Sequence, residues 1–319
     1  MQNEHAVVAV VVTFRAAELT VACVDSLRQS VDVRLHVVVV DNASGDDSLE
    51  LFRSRFGDAA DVTIHARDVN DGYTGGNNAG VALAREIARM IDARYVFILN
   101  NDTVLDPDCV RRLVDEAERD DHIAIATPRI FFGDPRDRLW FGGGRFSLWR
   151  GRPVHVGYRE AAPDHGPWNE SRDIDYASGC ALLVRLSSVS DPIFDVSLFT
   201  YAEDVDLSLR VTRRRGRIRY VPRAVMWHFE GSGHRRAGGQ SLRFYLNVRN
   251  LLRVDARYAR WYHWLTLAPF LAIDVVGRYA AVAVRDGDWP ALAAVFRGAQ
   301  HAMTGGTHAI EPPRPDDAR

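Results

Sequence analysis

A chain of 319 residues with 47% hydrophobic content is long enough for one large α/β domain with an extension, or for two domains. The formal net charge of −2 excludes a general nucleic-acid binder, whose signature is a strongly basic face. All 40 basic residues are Arg, a bias better ascribed to coding composition than to phosphate sites, and the three cysteines, Cys23, Cys109 and Cys180, lack metal-like spacing and fit buried thiols in a reducing compartment.

The start, Met1-Gln2-Asn3-Glu4-His5, lacks the basic residues of a secretory signal. Ala6–Thr13 is a β-branched apolar run, as expected of a strand buried on both faces of a parallel sheet. A helix over Ala17–Gln29 and a second buried strand, Leu35–Val40, complete a βαβ unit that ends in Asp41-Asn42-Ala43-Ser44-Gly45. Ligands bind at such strand ends, so Asp41 either accepts from a nucleobase or ribose or merely caps an Asx-turn. After a helix near Asp47–Phe56 and a strand over Val62–His65 comes Asn70-Asp71-Gly72-Tyr73-Thr74-Gly75-Gly76-Asn77-Asn78, read as a glycine-rich turn before a helix over Asn78–Asp92. It is neither a P-loop nor Gly-x-Gly-x-x-Gly. A third buried strand, Tyr95–Leu99, ends in Asn100-Asn101-Asp102, where a carboxylate suits a hard divalent cation that also takes substrate phosphates. Asp106-Pro107 is read as the start of the next helix.

In the second half, His122–Thr127 reads as a strand, Trp140–Trp149 as a glycine-turned hairpin, and Arg150–Arg172 as a loop over the cleft. Asp175-Tyr176-Ala177-Ser178-Gly179-Cys180 precedes a core strand, Ala181–Leu186. Tyr201-Ala202-Glu203-Asp204 opens a helix that stops near Gly216, and a short strand then ends at His228. Glu203 and Asp204 are either a base for a hydroxyl proton or acids that complement a helix dipole, and His228 is a metal ligand or a strand end. Glu230–Arg236 reads as a glycine-hinged basic loop, with helices from Ser241 onward. Trp261–Val284 is the nearest approach to a membrane span, but Pro269, Asp274 and Arg278 interrupt it. Its aromatic surface beside Arg253, Arg257 and Arg260 suits either an anionic membrane or packing against protein. The tail from Gly305 to Arg319 has the composition of a disordered segment.

Taken in order, the Val-Val-Thr-Phe strand, Val-Val-Asp-Asn-Ala-Ser, Asn-x-Gly-Tyr-x-Gly-Gly-Asn-Asn-x-Gly, Leu-Asn-Asn-Asp, Tyr-x-Glu-Asp-Val-Asp-Leu and His228 resemble an inverting family-two glycosyltransferase, in its rhamnosyltransferase-like branch. The resemblance implies a GT-A (nucleotide-diphospho-sugar transferase) α/β fold, a Rossmann-like mixed sheet flanked by helices. Residues 1–238 would form the catalytic domain (nucleotide-sugar half about 1–130, acceptor half about 131–238), with a helical extension at 239–304 and a tail at 305–319. Thr13, Asp41, Asn77, Asn100 and Asn101 would bind the nucleotide sugar, and Asp102 and His228 a Mg²⁺ or Mn²⁺ cofactor. Asp204 would be the general base with Glu203 in support, and Asp175 and Gly179 the acceptor-side floor. Arg15 and Asp191-Pro192 depart from the family pattern and bear on donor preference or loop position.

The implied donor is dTDP-rhamnose or another dTDP or UDP sugar. The implied acceptor is a hydroxyl of a glycan, glycolipid or other molecule in cell-surface polysaccharide assembly. The expected setting is cytoplasmic, extending to the inner face of the membrane through residues 253–284, with homo-oligomers allowed. Two rivals stand beside it. A sugar nucleotidyltransferase would want a basic triphosphate loop near the first strand, of which only Arg15 is a trace, and a non-catalytic assembly subunit would have no need to keep Asp102, Asp204 and His228 together.

Overall fold

The computed structural model describes residues 5–161, 166–229 and 239–306. Strands β1 (His5–Thr13), β2 (Val33–Asp41), β3 (Val62–Ala66) and β4 (Tyr95–Asn100) form a parallel sheet in the order β4-β1-β2-β3, linked by helices α1 (Ala17–Arg28), α2 (Ser48–Phe56) and α3 (Gly72–Ile91). Val7–Val11 and Val37–Val40 are wholly buried, which is why both strands read as unbroken apolar runs. The register pairs Thr13 with Asp41 and Val12 with Asn100, so the polar ends of three strands line one edge of the sheet.

Helix α3 begins at Gly72, so the glycine-rich stretch expected as a turn is the helix's own first turns. Its glycines serve packing. A Cβ on Gly76 would lie 2.6 Å from Val12 Cγ1, and one on Gly80 would collide with Val10 and reach Val40. Gly80→Ala is therefore expected to lower stability by about 1–2 kcal/mol in urea denaturation, because overpacking between two fixed strands outweighs the roughly 1 kcal/mol that Ala adds to a helix.

The second half extends the same sheet. Strand β5 (Thr103–Leu105) leads to α4 (Cys109–Ala117), which starts after Pro107 rather than at it, with the Asp106 carboxylate accepting from Asp108 N. Next come β6 (Ile123–Phe132), β7 (Leu139–Phe141), β8 (Gly144–Arg145) and β9 (Val154–His155). The expected hairpin within Trp140–Trp149 does not form: β7 pairs with β6, and β8 with β9, which lies inside the segment expected as loop. After β10 (Arg172–Asp173) and β11 (Ala181–Arg185), helix α5 (Glu203–Arg213) precedes β12 (Arg217–His228). That last strand spans 12 residues instead of the short strand expected, because a bulge between Val221 and Val225 lets it pass Pro222 and continue along β6. The completed order is β10-β12-β6-β11-β4-β1-β2-β3, with β11 antiparallel to both neighbours and β5 antiparallel to β12.

Helix α6 (Gly239–Tyr258) packs Phe244, Val248, Leu251 and Val254 into the same apolar core as the sheet. From Trp261 the chain stays helical through α7 (Trp264–Phe270), a π-helical stretch at Leu271–Gly277 and α8 (Arg278–Arg285), so Pro269 does not interrupt it. Helix α9 (Trp289–Thr304) returns along α6, where a Cβ on Gly298 would meet Tyr245 O at 2.7 Å. The glycine-hinged loop at Glu230–Arg236 and the tail beyond residue 306 lie outside the described residues.

Candidate active site

The carboxyl edge of the parallel half is prebuilt. Asp41 is buried and accepts from Ser44 Oγ, and from Ser44 N at 3.3 Å. Burial raises its pKa, and those two bonds oppose the rise. Arg15, at a φ of +54°, closes the neighbouring loop by donating its N–H to Ser44 Oγ (2.9 Å) and its Nε to Ser44 O (3.0 Å). Asn101 Nδ2 reaches the hydroxyls of Thr13 (3.2 Å) and Thr20 (3.0 Å), so this side chain secures the end of β1. Asn77 is buried and turned back on its own helix, donating to Tyr73 O at 2.8 Å.

Asp102 and His228 meet because β5 and β12 pair antiparallel with Thr103 opposite His228. Both are buried, and Asp102 Oδ1 lies 3.1 Å from His228 Nε2 without hydrogen-bond alignment. Neither ring nitrogen nor that carboxylate oxygen has an aligned hydrogen bond, so the close Asp102–His228 contact leaves polar capacity that a further group could take up. Burial disfavours the imidazolium, but neighbouring Cys180 and Asp102 outweigh it and raise the pKa of His228. Trp140 packs edge-on against His228 and His155, at ring centroid distances of 4.6 and 4.5 Å. Burial and the nearby His228 push His155 down to about 4, so it is a neutral ring whose Nδ1–H donates to Trp140 O at 3.1 Å.

Glu203 and Asp204 begin α5 on a conformationally expensive lead-in: Phe199, Tyr201 and Ala202 have φ of +64°, +71° and +64°. Each such residue costs on the order of 1–3 kcal/mol. Two helices hold this loop by its carbonyls. Thr74 N, in the first turn of α3, donates to Phe199 O at 3.0 Å. From α6, the two N–H groups of Asn250 Nδ2 are shared among three carbonyls, Leu198 O (2.7 Å), Thr200 O (2.8 Å) and Tyr201 O (2.9 Å). Buried Arg249 donates through Nε to Asn250 Oδ1 at 2.8 Å, which fixes the amide's orientation, and through Nη2 to Ser197 O at 3.0 Å.

On that platform the two acids differ. Asp204 Oδ2 accepts from Gly179 N at 3.0 Å and Oδ1 from Val205 N at 2.8 Å, whereas Glu203 Oε2 is buried with no partner. Burial raises both pKa values; the Asp204 charge raises Glu203 further, while backbone N–H groups hold Asp204 back. Both acids line a cleft of about 170 Å³ with His155, Tyr176, Tyr201 and Leu251. The Gly179-Cys180 turn joins the two parts of the site, since Gly179 N binds Asp204 and Cys180 O accepts from Asn100 N at 3.0 Å. Asp175 does not line the cleft; its carboxylate accepts from Phe146 N at 3.0 Å. His155 did not stand out in the sequence, because it lies in a segment read as loop, whereas Asn250 closes the Tyr245–Asn250 stretch, which resembles a C-terminal element of the family but carries no role on sequence alone.

The sequence matches the family model Glycosyl transferase family 2 over residues 8–166 and the model Glycosyl transferase family group 2 over residues 95–296. The chain belongs to glycosyltransferase family 2. It is 25% identical over 178 residues to rhamnosyltransferase WbbL of Escherichia coli (strain K12), covering 55% of this chain and 67% of that protein. It is 31% identical over 109 residues to succinoglycan biosynthesis protein ExoO of Rhizobium meliloti (strain 1021), which is 34% of this chain and 29% of that protein. GalNAc-T7, solved with UDP, GalNAc and Mn²⁺, superposes with a TM-score of 0.63 at 15% identity over 82% of this chain and 49% of that one. Mannosyltransferase PcManGT from Pyrobaculum calidifontis, solved with GDP-Man and Mn²⁺, gives 0.53 at 15% identity over 95% and 76%. The fold is thus that of GT-A glycosyltransferases.

Proposed function

We propose that the protein moves a sugar from a nucleotide diphosphate donor to an acceptor hydroxyl, with inversion at the anomeric carbon and Asp204 as general base. The observation that carries this reading is the asymmetry of the buried acids. Two backbone N–H groups support the ionised form of Asp204, whereas burial and that neighbouring charge push Glu203, with its unpartnered oxygen, toward its protonated form. A hydroxyl bound in the cleft then loses its proton to Asp204, and a single displacement by that oxygen inverts the carbon it attacks. His155 and Tyr176 line the same cleft.

Asp102 Oδ1 and the adjacent His228 Nε2, neither with an aligned hydrogen bond, would hold a divalent cation with the imidazole in its neutral form, and diphosphate oxygens would complete the shell. Such an ion would supply Lewis-acid neutralisation of the departing diphosphate. Asp41, Thr13 and Asn100 would hold the nucleoside along the sheet edge. The relatives' names, a rhamnosyltransferase and a succinoglycan biosynthesis protein, support a role in polysaccharide assembly, and the Mn²⁺ and nucleotide-sugar complexes of the fold relatives support the metal and donor class.

A thermal-shift screen of nucleoside diphosphates and sugar nucleotides, with and without Mn²⁺, tests this. One nucleotide at 100 times its Kd should add about 2.7 kcal/mol, a shift of several degrees. Asp102→Ala and His228→Ala should each remove the Mn²⁺-dependent part of the shift. Release of pyrophosphate from a nucleoside triphosphate and a sugar phosphate would sink the reading in favour of a nucleotidyltransferase.

A further inference from the structure

The helical run from Trp261 to Arg285 turns an apolar stripe to both sides. Leu267, Leu271, Val275 and Ala283 are buried in the protein core. The opposite stripe exposes Trp261 (80%), Leu265 (74%), Ile273 (68%) and Val284 (52%), with Trp264 at 40%. Among the exposed positions of this run only Arg278 and Arg285 carry charge. Single exposed apolar side chains are ordinary, but a contiguous helical stripe of them marks an interaction surface.

Charge and ring chemistry identify the occupant. Residues 239–304 hold eight Arg against four Asp and no Glu, and with Arg249 and Asp255 both buried this leaves seven Arg against three Asp, in a chain whose net charge is −2. This part of the molecule is therefore cationic where the remainder is anionic. At the start of the stripe Trp149, itself 46% exposed, packs against Tyr262 and His263, at centroid distances of 5.8 and 4.9 Å, beside Trp261 and Trp264. Such amphipathic rings favour the headgroup level of a bilayer. The run has the length and composition to cross a membrane, but crossing would strip its buried stripe out of the core. Lying in the interface keeps that packing and covers the exposed stripe.

We propose that this face seats the protein on an anionic lipid bilayer, with the helix along the headgroup–acyl boundary and Trp261, Leu265 and Ile273 inserted. Cosedimentation of the full chain with vesicles of phosphatidylcholine and phosphatidylglycerol is expected to show binding that weakens as salt rises, and much less binding to phosphatidylcholine alone. The double variant Leu265→Glu/Ile273→Glu should bind at least about tenfold more weakly. It should melt like the wild type, because both side chains are exposed. Brominated lipid should quench tryptophan emission in the wild type and markedly less in Trp261→Phe/Trp264→Phe. Absence of vesicle binding, equal binding by the double variant, or a wild-type dimer that this variant dissolves would each overturn the proposal. So would resistance to alkaline extraction, the behaviour of a spanning helix. The donor-induced thermal shift reads the cleft alone, so loss of lipid binding and loss of glycosyl transfer are separable results.

Discussion

Replacing Asp204 with Asn is expected to cut turnover by about 10³-fold while leaving the Kd for the nucleotide donor within about twofold. Asn preserves the shape and can still accept through its oxygen from one of the two backbone N–H groups at 3.0 and 2.8 Å, but it cannot take a proton. Isothermal titration with donor plus Mn²⁺, beside initial rates with acceptor, separates binding from chemistry. Comparable loss of donor binding would move Asp204 out of the base role. The pH profile supplies the second readout. A base works when ionised, and burial holds the pKa of Asp204 above its ordinary value, so activity should fall on acidification at a higher pH than an exposed aspartate would give. Glu203→Gln should leave turnover within about tenfold, since a group already pushed toward its protonated form gives up little by becoming an amide. If Glu203→Gln were instead the inactive variant, the roles of the two acids would be exchanged.

The parts of the site that could be read from sequence are those built by local order. Strands buried on both faces announce themselves as Val-rich runs, and their polar ends follow directly, so Thr13, Asp41 and Asn100 fell on one edge as the βαβ pattern requires. The meeting of Asp102 with His228 was not legible from spacing, because it depends on the antiparallel pairing of β5, a three-residue strand with no periodic signal. The glycine-rich motif shows the converse problem. Its composition suggested a turn before the helix, yet Gly76 and Gly80 let the helix itself lie on Val12 and Val10. Its polar members tie the two halves of the domain together: Tyr73 OH donates to Gly179 O at 2.7 Å, and Asn78 exchanges 2.9 Å bonds with the backbone of Phe194. Those contacts cross more than 100 residues of chain, and no local pattern encodes them.

Asn250 is expected to be a positioning residue whose loss reaches the chemistry without touching the donor. Asn250→Ala removes the donor shared by Leu198 O, Thr200 O and Tyr201 O; Leu198 O keeps Thr200 N (2.7 Å) and Arg249 Nη2 (3.3 Å), so the loss falls mainly on the other two carbonyls. A buried carbonyl that loses a donor costs about 1–3 kcal/mol, with water recovering part, so a stability loss of about 2–4 kcal/mol follows for the two carbonyls most affected. The loop also contains three non-glycine residues at positive φ, a conformation that persists only while its surroundings enforce it. Once released, Tyr201 and Ala202 can relax, and the start of α5 with Glu203 and Asp204 shifts relative to Gly179. A misplacement of about 1 Å costs on the order of 10²-fold in rate, so kcat should fall by about 10–100-fold with donor Kd unchanged. Val254→Ala provides the control, since it truncates a wholly buried side chain one turn along the same helix. It should cost about 1–3 kcal/mol and, assayed well below its melting temperature, keep kcat within about twofold of the wild type. If both variants lose activity only in proportion to their loss of folded protein, the Asn250 contacts stabilise the fold and do not position the base.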